Sequence, residues 1–242
     1  MRLVMLPGMD GTGSLFRGFL DVLPPTTEVV IVRYPFHRAL GYAELLDAVR
    51  AAVDPLNEYV LVAESFSTPL AVMFAAGQPE GLQGVVLCAG FVTPPVRGVM
   101  RWLAERLRWV IFRVPFPSWA ARVFLLGIRA PRELLDDVTD AIARVAPDVM
   151  ARRVVEVLRV DVRKELSEIN VPILALFSGD DKVVSDECRP EMLAQKNMKT
   201  GTIDGPHMLL QRAPVRCSRL IVDWIKALDS QRASNSDQEA VA

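Results

Sequence analysis

Histidine and cysteine are scarce in this 242-residue chain, and the scarcity closes off much metal chemistry. There are two histidines, His37 and His207, and three cysteines, Cys88, Cys188 and Cys217, far apart and without a Cys-x-x-Cys spacing. That set supplies no ligand cluster for zinc, so neither metal nor cofactor is expected, and the cysteines read as free thiols. Basic excess is also missing: 28 Lys and Arg stand against 29 Asp and Glu. A net charge of −1 leaves no electrostatic footprint for nucleic acid. No apolar run reaches the roughly 18 residues that a membrane span demands. No charged leader precedes an apolar stretch at the start, so a cytoplasmic location is the expectation.

What is present points to one substantial core. Hydrophobic residues make up 51% of the chain, and the length suffices for one core with an insertion rather than two independent domains. Strand-like runs fall at 2–6, 28–34, 58–63, 83–89, 171–177 and 199–203, with helical patterns between most of them. Such alternation implies crossover connections and a mostly parallel sheet of about six strands, buried on both faces. The expected class is α/β. No internal repeat is visible.

The most informative segment is Tyr59-Val60-Leu61-Val62-Ala63-Glu64-Ser65-Phe66-Ser67. An apolar strand runs into a serine that has small residues two positions before and after it, Ala63 and Ser67. A helical pattern with Pro69 in its first turn follows. This is a weaker form of the Gly-x-Ser-x-Gly nucleophile elbow, whose tight strand-to-helix turn tolerates only small side chains at the flanking positions. A serine hydroxyl needs a base. His207 follows a short strand and a Gly-Pro turn, shortly before a final amphipathic helix; His37 precedes the serine.

On these residues the chain resembles the α/β-hydrolase family over about residues 1–228. The family orders its triad as serine, acid, histidine, and the resemblance implies Ser65 as nucleophile and His207 as base. The acid then follows the strand ending at Phe177, in Ser178-Gly179-Asp180-Asp181-Lys182-Val183. An Asp-x-x-Val habit favours Asp181, with Asp180 the alternative. No carboxylate ends the strand at 84–90, the other place where such enzymes keep the acid. The loop Pro7-Gly8-Met9-Asp10-Gly11-Thr12-Gly13 is similar to the family's His-Gly-x loop with Pro in place of His. That match makes the backbone N–H groups of Met9 and Phe66 the expected oxyanion donors.

The same loop raises a competing class, a nucleotide-binding domain. Its glycines fall at relative positions 0, 3 and 5, against 0, 2 and 5 for a dinucleotide fingerprint, and Ser14 stands where a phosphate-binding loop needs Lys. Neither signature is met. Glu64 and Asp10 lie beside the expected site, and their expected roles are structural, Asp10 as a hydrogen-bonded brace for its own loop.

About eighty residues separate the strand ending near Phe91 from the one starting at Val171, too many for a plain crossover. The resemblance implies a helical cap here, dividing the chain into a core of 1–90 and 166–229, a cap insertion of 91–165 and a disordered tail of 230–242. Three of the four tryptophans, Trp102, Trp109 and Trp119, lie in the insertion, and residues 97–132 hold eight arginines and one acid, Glu105. Three readings stay open: solvated arginine faces over a packed aromatic side, aromatics lining a substrate pocket together with Met208, or weak contact with an anionic lipid surface. The implied activity is cleavage of a small-molecule carboxylic ester of small to medium apolar character through an acyl-enzyme. Thioesterase, lactonase, C–C hydrolase and acyltransferase chemistry share the machinery, and a binding protein that has lost its chemistry is the non-enzyme alternative. The sequence leaves the oligomeric state open.

Overall fold

A computed structural model describes residues 2–54, 56–96 and 117–239. Six strands form one sheet, every neighbouring pair parallel: β1 (Arg2–Leu6), β2 (Glu28–Ile31), β3 (Tyr59–Glu64), β4 (Leu82–Cys88), β5 (Ile173–Ser178) and β6 (Met198–Ile203), in the order β2-β1-β3-β4-β5-β6. Because side chains alternate across a strand, each central strand feeds two cores. Leu3 and Met5 of β1, Val60 and Val62 of β3 and Leu174 and Leu176 of β5 join one apolar cluster. Val4 and Leu6, Leu61 and Ala63, and Ala175 and Phe177 join the other. Strands buried on both faces read as apolar runs, which made β1, β3, β4 and β5 legible, whereas the edge strands β2 and β6 are partly exposed.

Helices cover both faces. Tyr42–Val53 and Ser67–Ala76 pack on one side through Tyr42, Leu45, Val49, Leu70 and Phe74. On the other side lies Pro214–Glu239, through Ile221, Trp224, Ile225 and Leu228. Leu220, on the same helix, is exposed. The helix also runs on to Glu239, through most of the stretch expected to be disordered. That segment contains neither Gly nor Pro. Ser230 Oγ and Ser234 Oγ donate to carbonyls one turn back, and Arg232 Nη2 donates to the Gln83 carbonyl at 2.7 Å, tying the helix to β4. Polar composition without apolar periodicity was a poor guide here, because an existing helix propagates more easily than it starts.

The described part of the insertion, 117–165, is largely helical: Ser118–Ala120 running into a π-helical segment Ala121–Leu126, then Arg132–Ala143, Pro147–Arg159 and Arg163–Ser167. Its apolar side chains meet the ends of the sheet. Leu126, Leu135 and Val138 cluster with Met208, and Val145, Val149 and Met150 with Met9. A backbone bond from Met208 N–H to the Leu125 carbonyl, 3.0 Å, joins the insertion to the loop after β6. Among the described residues no helix is long and apolar enough to cross a membrane.

Strand order fixes where a site can form. The chain leaves β1 toward β2 on one side and returns to β3 on the other, so the loops after β1 and β3 diverge and leave a crevice at the carboxyl ends of the strands. In register, Leu6 lies opposite Ala63, which brings the loop at 7–13 beside the turn carrying Ser65. Ser178 lies opposite Ile203, which sets the loops bearing Asp181 and His207 side by side.

Candidate active site

Ser65 sits between β3 and the helix Ser67–Ala76 with φ at 50°, in the left-handed region that non-glycine residues seldom occupy. Such a conformation persists only where its surroundings hold it. Here the Ser65 N–H donates to the Cys88 carbonyl at 2.9 Å, and the Ser65 carbonyl accepts from the Thr68 N–H at 2.9 Å and hydroxyl at 2.8 Å. The small residue at 67 has a second use. Ser67 Oγ donates to the Pro7 carbonyl and accepts from the Tyr34 hydroxyl at 2.6 Å, lacing the elbow to the loop after β1.

From Ser65 a relay runs inward. Ser65 Oγ is 2.7 Å from His207 Nε2, and His207 Nδ1 is 2.9 and 3.1 Å from the two carboxylate oxygens of Asp181. An ionised carboxylate only accepts, so Nδ1 carries the proton and Nε2 is left to accept from the serine hydroxyl. Asp181 Oδ1 also accepts the N–H groups of Val183 and Val184, at 2.8 and 2.9 Å. Burial pushes the Asp181 carboxyl up, but the His207 bond and the two amides outweigh it, and the group lies below its ordinary value. His207 and Asp181 are almost fully buried, at 5% and 4% side-chain exposure.

Asp180 and His37 lie apart from this chain of contacts. Asp180 is exposed and engages only its backbone N–H, with the Gly205 carbonyl at 3.0 Å. His37 is exposed, its ring set edge-on to Phe36.

Ser65 and His207 open on a cavity of about 210 Å³ whose walls are mainly apolar: Met9, Leu15, Leu125, Val138, Ile142, Met150, Val183 and Met208. Met208 was expected there, and Met9 was expected beside the serine as an oxyanion donor; the other wall residues were not singled out from the sequence. Trp119 does not reach the cavity. It is 64% exposed, because the buried face of its segment is made by Ala120, Ala121 and Leu126. Trp102 and Trp109 lie outside the described residues.

The loop after β1 also borders the cavity through Gly8, Met9 and Asp10. Among the described residues no acceptor takes the N–H of Met9 or of Phe66. Asp10 braces its loop as expected, its carboxylate accepting the Thr12 N–H at 2.9 Å and the Thr12 hydroxyl. Glu64 is buried, and burial pushes its carboxyl up to about 7 against the opposing bond from Gln211 Nε2, 3.1 Å away.

Arg153, from the helix Pro147–Arg159, is the largest fully buried side chain among the described residues. Its Nη1 donates to the carbonyls of Met9 and Asp10 at 2.7 and 3.1 Å, and its Nη2 to that of Pro35 at 3.0 Å. Gly11, at φ +70°, leaves the room: a Cβ there would sit 2.9 Å from Nη1 and 3.0 Å from Nη2. The sequence reading passed over this residue. The signal was an arginine on a buried stripe, Val149, Arg153 and Val157, spaced four apart on an amphipathic helix.

A six-stranded parallel sheet with a serine on a strained strand-to-helix turn and a buried histidine and carboxylate behind it defines an α/β-hydrolase class of structure. The family model for alpha/beta hydrolases matches residues 3–220, and the chain belongs to that family. No curated protein matches it in sequence. Among solved structures it is similar to an esterase from Exiguobacterium antarcticum, with TM-score 0.84, 14% identity and coverage of 93% of this chain and 92% of that one. A hydrolase from Oleispira antarctica gives 0.82 at 14% identity, covering 93% and 90%. A thermophilic esterase from Thermogutta terrifontis gives 0.80 at 17% identity, covering 94% and 90%.

Proposed function

We propose that the protein is a carboxylesterase-type serine hydrolase acting on small to medium apolar esters through an acyl-enzyme. Ser65 Oγ attacks the ester carbonyl while His207 Nε2 takes its proton. Asp181, bonded to Nδ1–H, keeps the imidazole in the required tautomer and stabilises its charged form. The carbonyl oxygen becomes an oxyanion, received by the N–H groups of Met9 and Phe66. As the intermediate collapses, His207 returns the proton to the departing alcohol. A water molecule, deprotonated by the same nitrogen, then attacks the acyl-enzyme; the second collapse releases the acid and restores Ser65.

The observation that carries this reading is the unbroken chain Ser65–His207–Asp181, at 2.7 and 2.9 Å, opening on an apolar cavity beside two N–H groups that have no acceptor among the described residues. Apolar walls favour an acyl chain over a charged one, since a buried unpaired charge is strongly disfavoured. The test is a series of p-nitrophenyl esters of increasing acyl length, with a fluorophosphonate as covalent reporter. Turnover concentrated in short to medium acyl chains and labelling lost in Ser65→Ala are expected. Stoichiometric labelling of another serine, or hydrolysis unaffected by the substitution, defeats the proposal.

A further inference from the structure

We infer that Arg153 is a positioning residue for the oxyanion site, its guanidinium clamping the loop after β1 so that the Met9 N–H faces the cavity. The inference rests on the acyl-transfer reading above. Three successive peptide groups set the direction of that N–H. In the first, the Gly8 carbonyl accepts from the Gly11 N–H at 3.0 Å. A trans peptide is planar with its N–H opposed to its C=O, so the Met9 N–H is turned away from the Gly11 amide. In the second and third, the Met9 and Asp10 carbonyls are both held by Arg153 Nη1, at 2.7 and 3.1 Å. The Gly11 carbonyl accepts the Tyr34 N–H at 2.9 Å, which closes the far end of the loop. The Gly11 N–H bond holds the first and third of these peptides, and among the described residues nothing inside the loop holds the second, between Met9 and Asp10. Arg153 does, from a helix more than 140 residues further along the chain.

The energetics favour a specific use over simple packing. Arg153 lies on an apolar stripe where Met or Leu would fit without desolvating a charge. Among the described residues no carboxylate forms an ion pair with it, and neutral carbonyls compensate its burial only in part, since Nε has no partner among those residues. Its guanidinium carbon lies 5.8 Å from the centre of the Tyr34 ring and 6.0 Å from that of Phe66, the residue bearing the other candidate donor. One planar group thus touches the backbone at one donor and the side chain at the other. Lysine supplies no such fork, so it replaces only part of the contact.

The test compares Arg153→Met, similar in reach but uncharged, with Arg153→Lys and with Ser65→Ala. If Arg153 aims the donor, Arg153→Met lowers kcat by about 10²-fold, as misplacement of a reacting group by an ångström does. KM should change by less than about twofold, because only the transition state loses a bond. Affinity for an alkyl trifluoromethyl ketone, whose adduct with Ser65 places an oxyanion at the same spot, should fall in parallel with kcat/KM. Arg153→Lys should fold and recover part of the loss. A folded Met variant with wild-type kcat overturns the inference. So does a variant in which ketone affinity merely follows KM while the melting temperature falls, and so does failure of both variants to fold, since the guanidinium would then hold the fold and not the loop. Turnover that survives Ser65→Ala instead removes the acyl-transfer reading itself, a separate readout.

Discussion

The floor and the roof of the cavity are built on opposite principles. The floor is polar and tied by hydrogen bonds: Ser65, Asp181 and His207 stand on loops that leave β3, β5 and β6, with Ser65 bonded through its amide to the Cys88 carbonyl, the Asp181 carboxylate to two amides of its own loop and His207 to Asp181. The roof is apolar and held by side-chain packing of Leu125, Val138, Ile142 and Met150. A floor of that kind fixes geometry to a fraction of an ångström, as proton transfer requires. A roof of packed aliphatics tolerates exchange of volume for volume. On the proposed reading, chemistry belongs to the first and selectivity to the second.

Breaking the floor should have the largest effects. Ser65→Ala should lower kcat on the order of 10⁶-fold in the ester assay without unfolding the protein. Asp181→Asn should cost roughly 10⁴-fold, as loss of the correct imidazole tautomer does, while Asp180→Asn remains near wild type. The reverse order in that pair would falsify the assignment of the acid. Acid stability follows the same contacts. The Asp181 carboxyl lies below its ordinary value in the folded protein, so its contribution is fully present above about 3.8 and is lost as pH falls through the lower folded value.

Glu64 carries the opposite sign. Burial raises its carboxyl from 4.5 to about 7, so folding favours the protonated form, and the native state loses stability as pH rises from 4.5 through 7. Glu64→Gln keeps the shape and removes the charge. The variant should gain melting temperature over wild type at pH 8 and little at pH 5; an equal gain at both would mean that the charge is not what costs stability.

Changes to the roof should be smaller and of a different kind. Val138→Phe, with extra volume directed at the cavity, should shorten the longest acyl chain accepted, at a stability cost of about 1–3 kcal/mol. An unchanged acyl profile would move selectivity off this wall. Smallest of all is Trp119→Ala: the side chain is largely exposed, and the expected change in stability is within about 0.5 kcal/mol, with the acyl profile untouched.

Much of the floor was legible in the chain itself. Elbow, acid and histidine each follow a strand; those before Ser65 and Asp181 are buried throughout and announce themselves as short apolar runs, whereas the strand before His207 is partly exposed and the Gly-Pro turn marks that loop instead. Asp181, which meets His207 where Asp180 does not, was preferred on a local spacing. The roof was less legible, because which side of a helix faces the cavity depends on neighbours far away in sequence. Trp119 looked like a lining residue by type, yet Ala120 and Ala121 take the inner side of its segment. Arg153 drew no reading from the sequence, and its long-range contacts with the carbonyls of Met9 and Asp10 are what reveal its place. The last helix runs on through most of the stretch expected to be disordered, and the bond from Arg232 to a carbonyl of β4 is a long-range contact that local composition does not announce.

The bond from the Met208 amide to the Leu125 carbonyl joins base loop and roof through main chain alone. Residues 125 and 208 also project side chains into the cavity, yet any residue but proline at 208, and any at 125, can make that bond. Inherited variation is therefore free to redraw the inner surface at these two positions while leaving the joint intact. A lineage could wander from one preferred ester to another through single substitutions, none of which has to unhinge the histidine on the way.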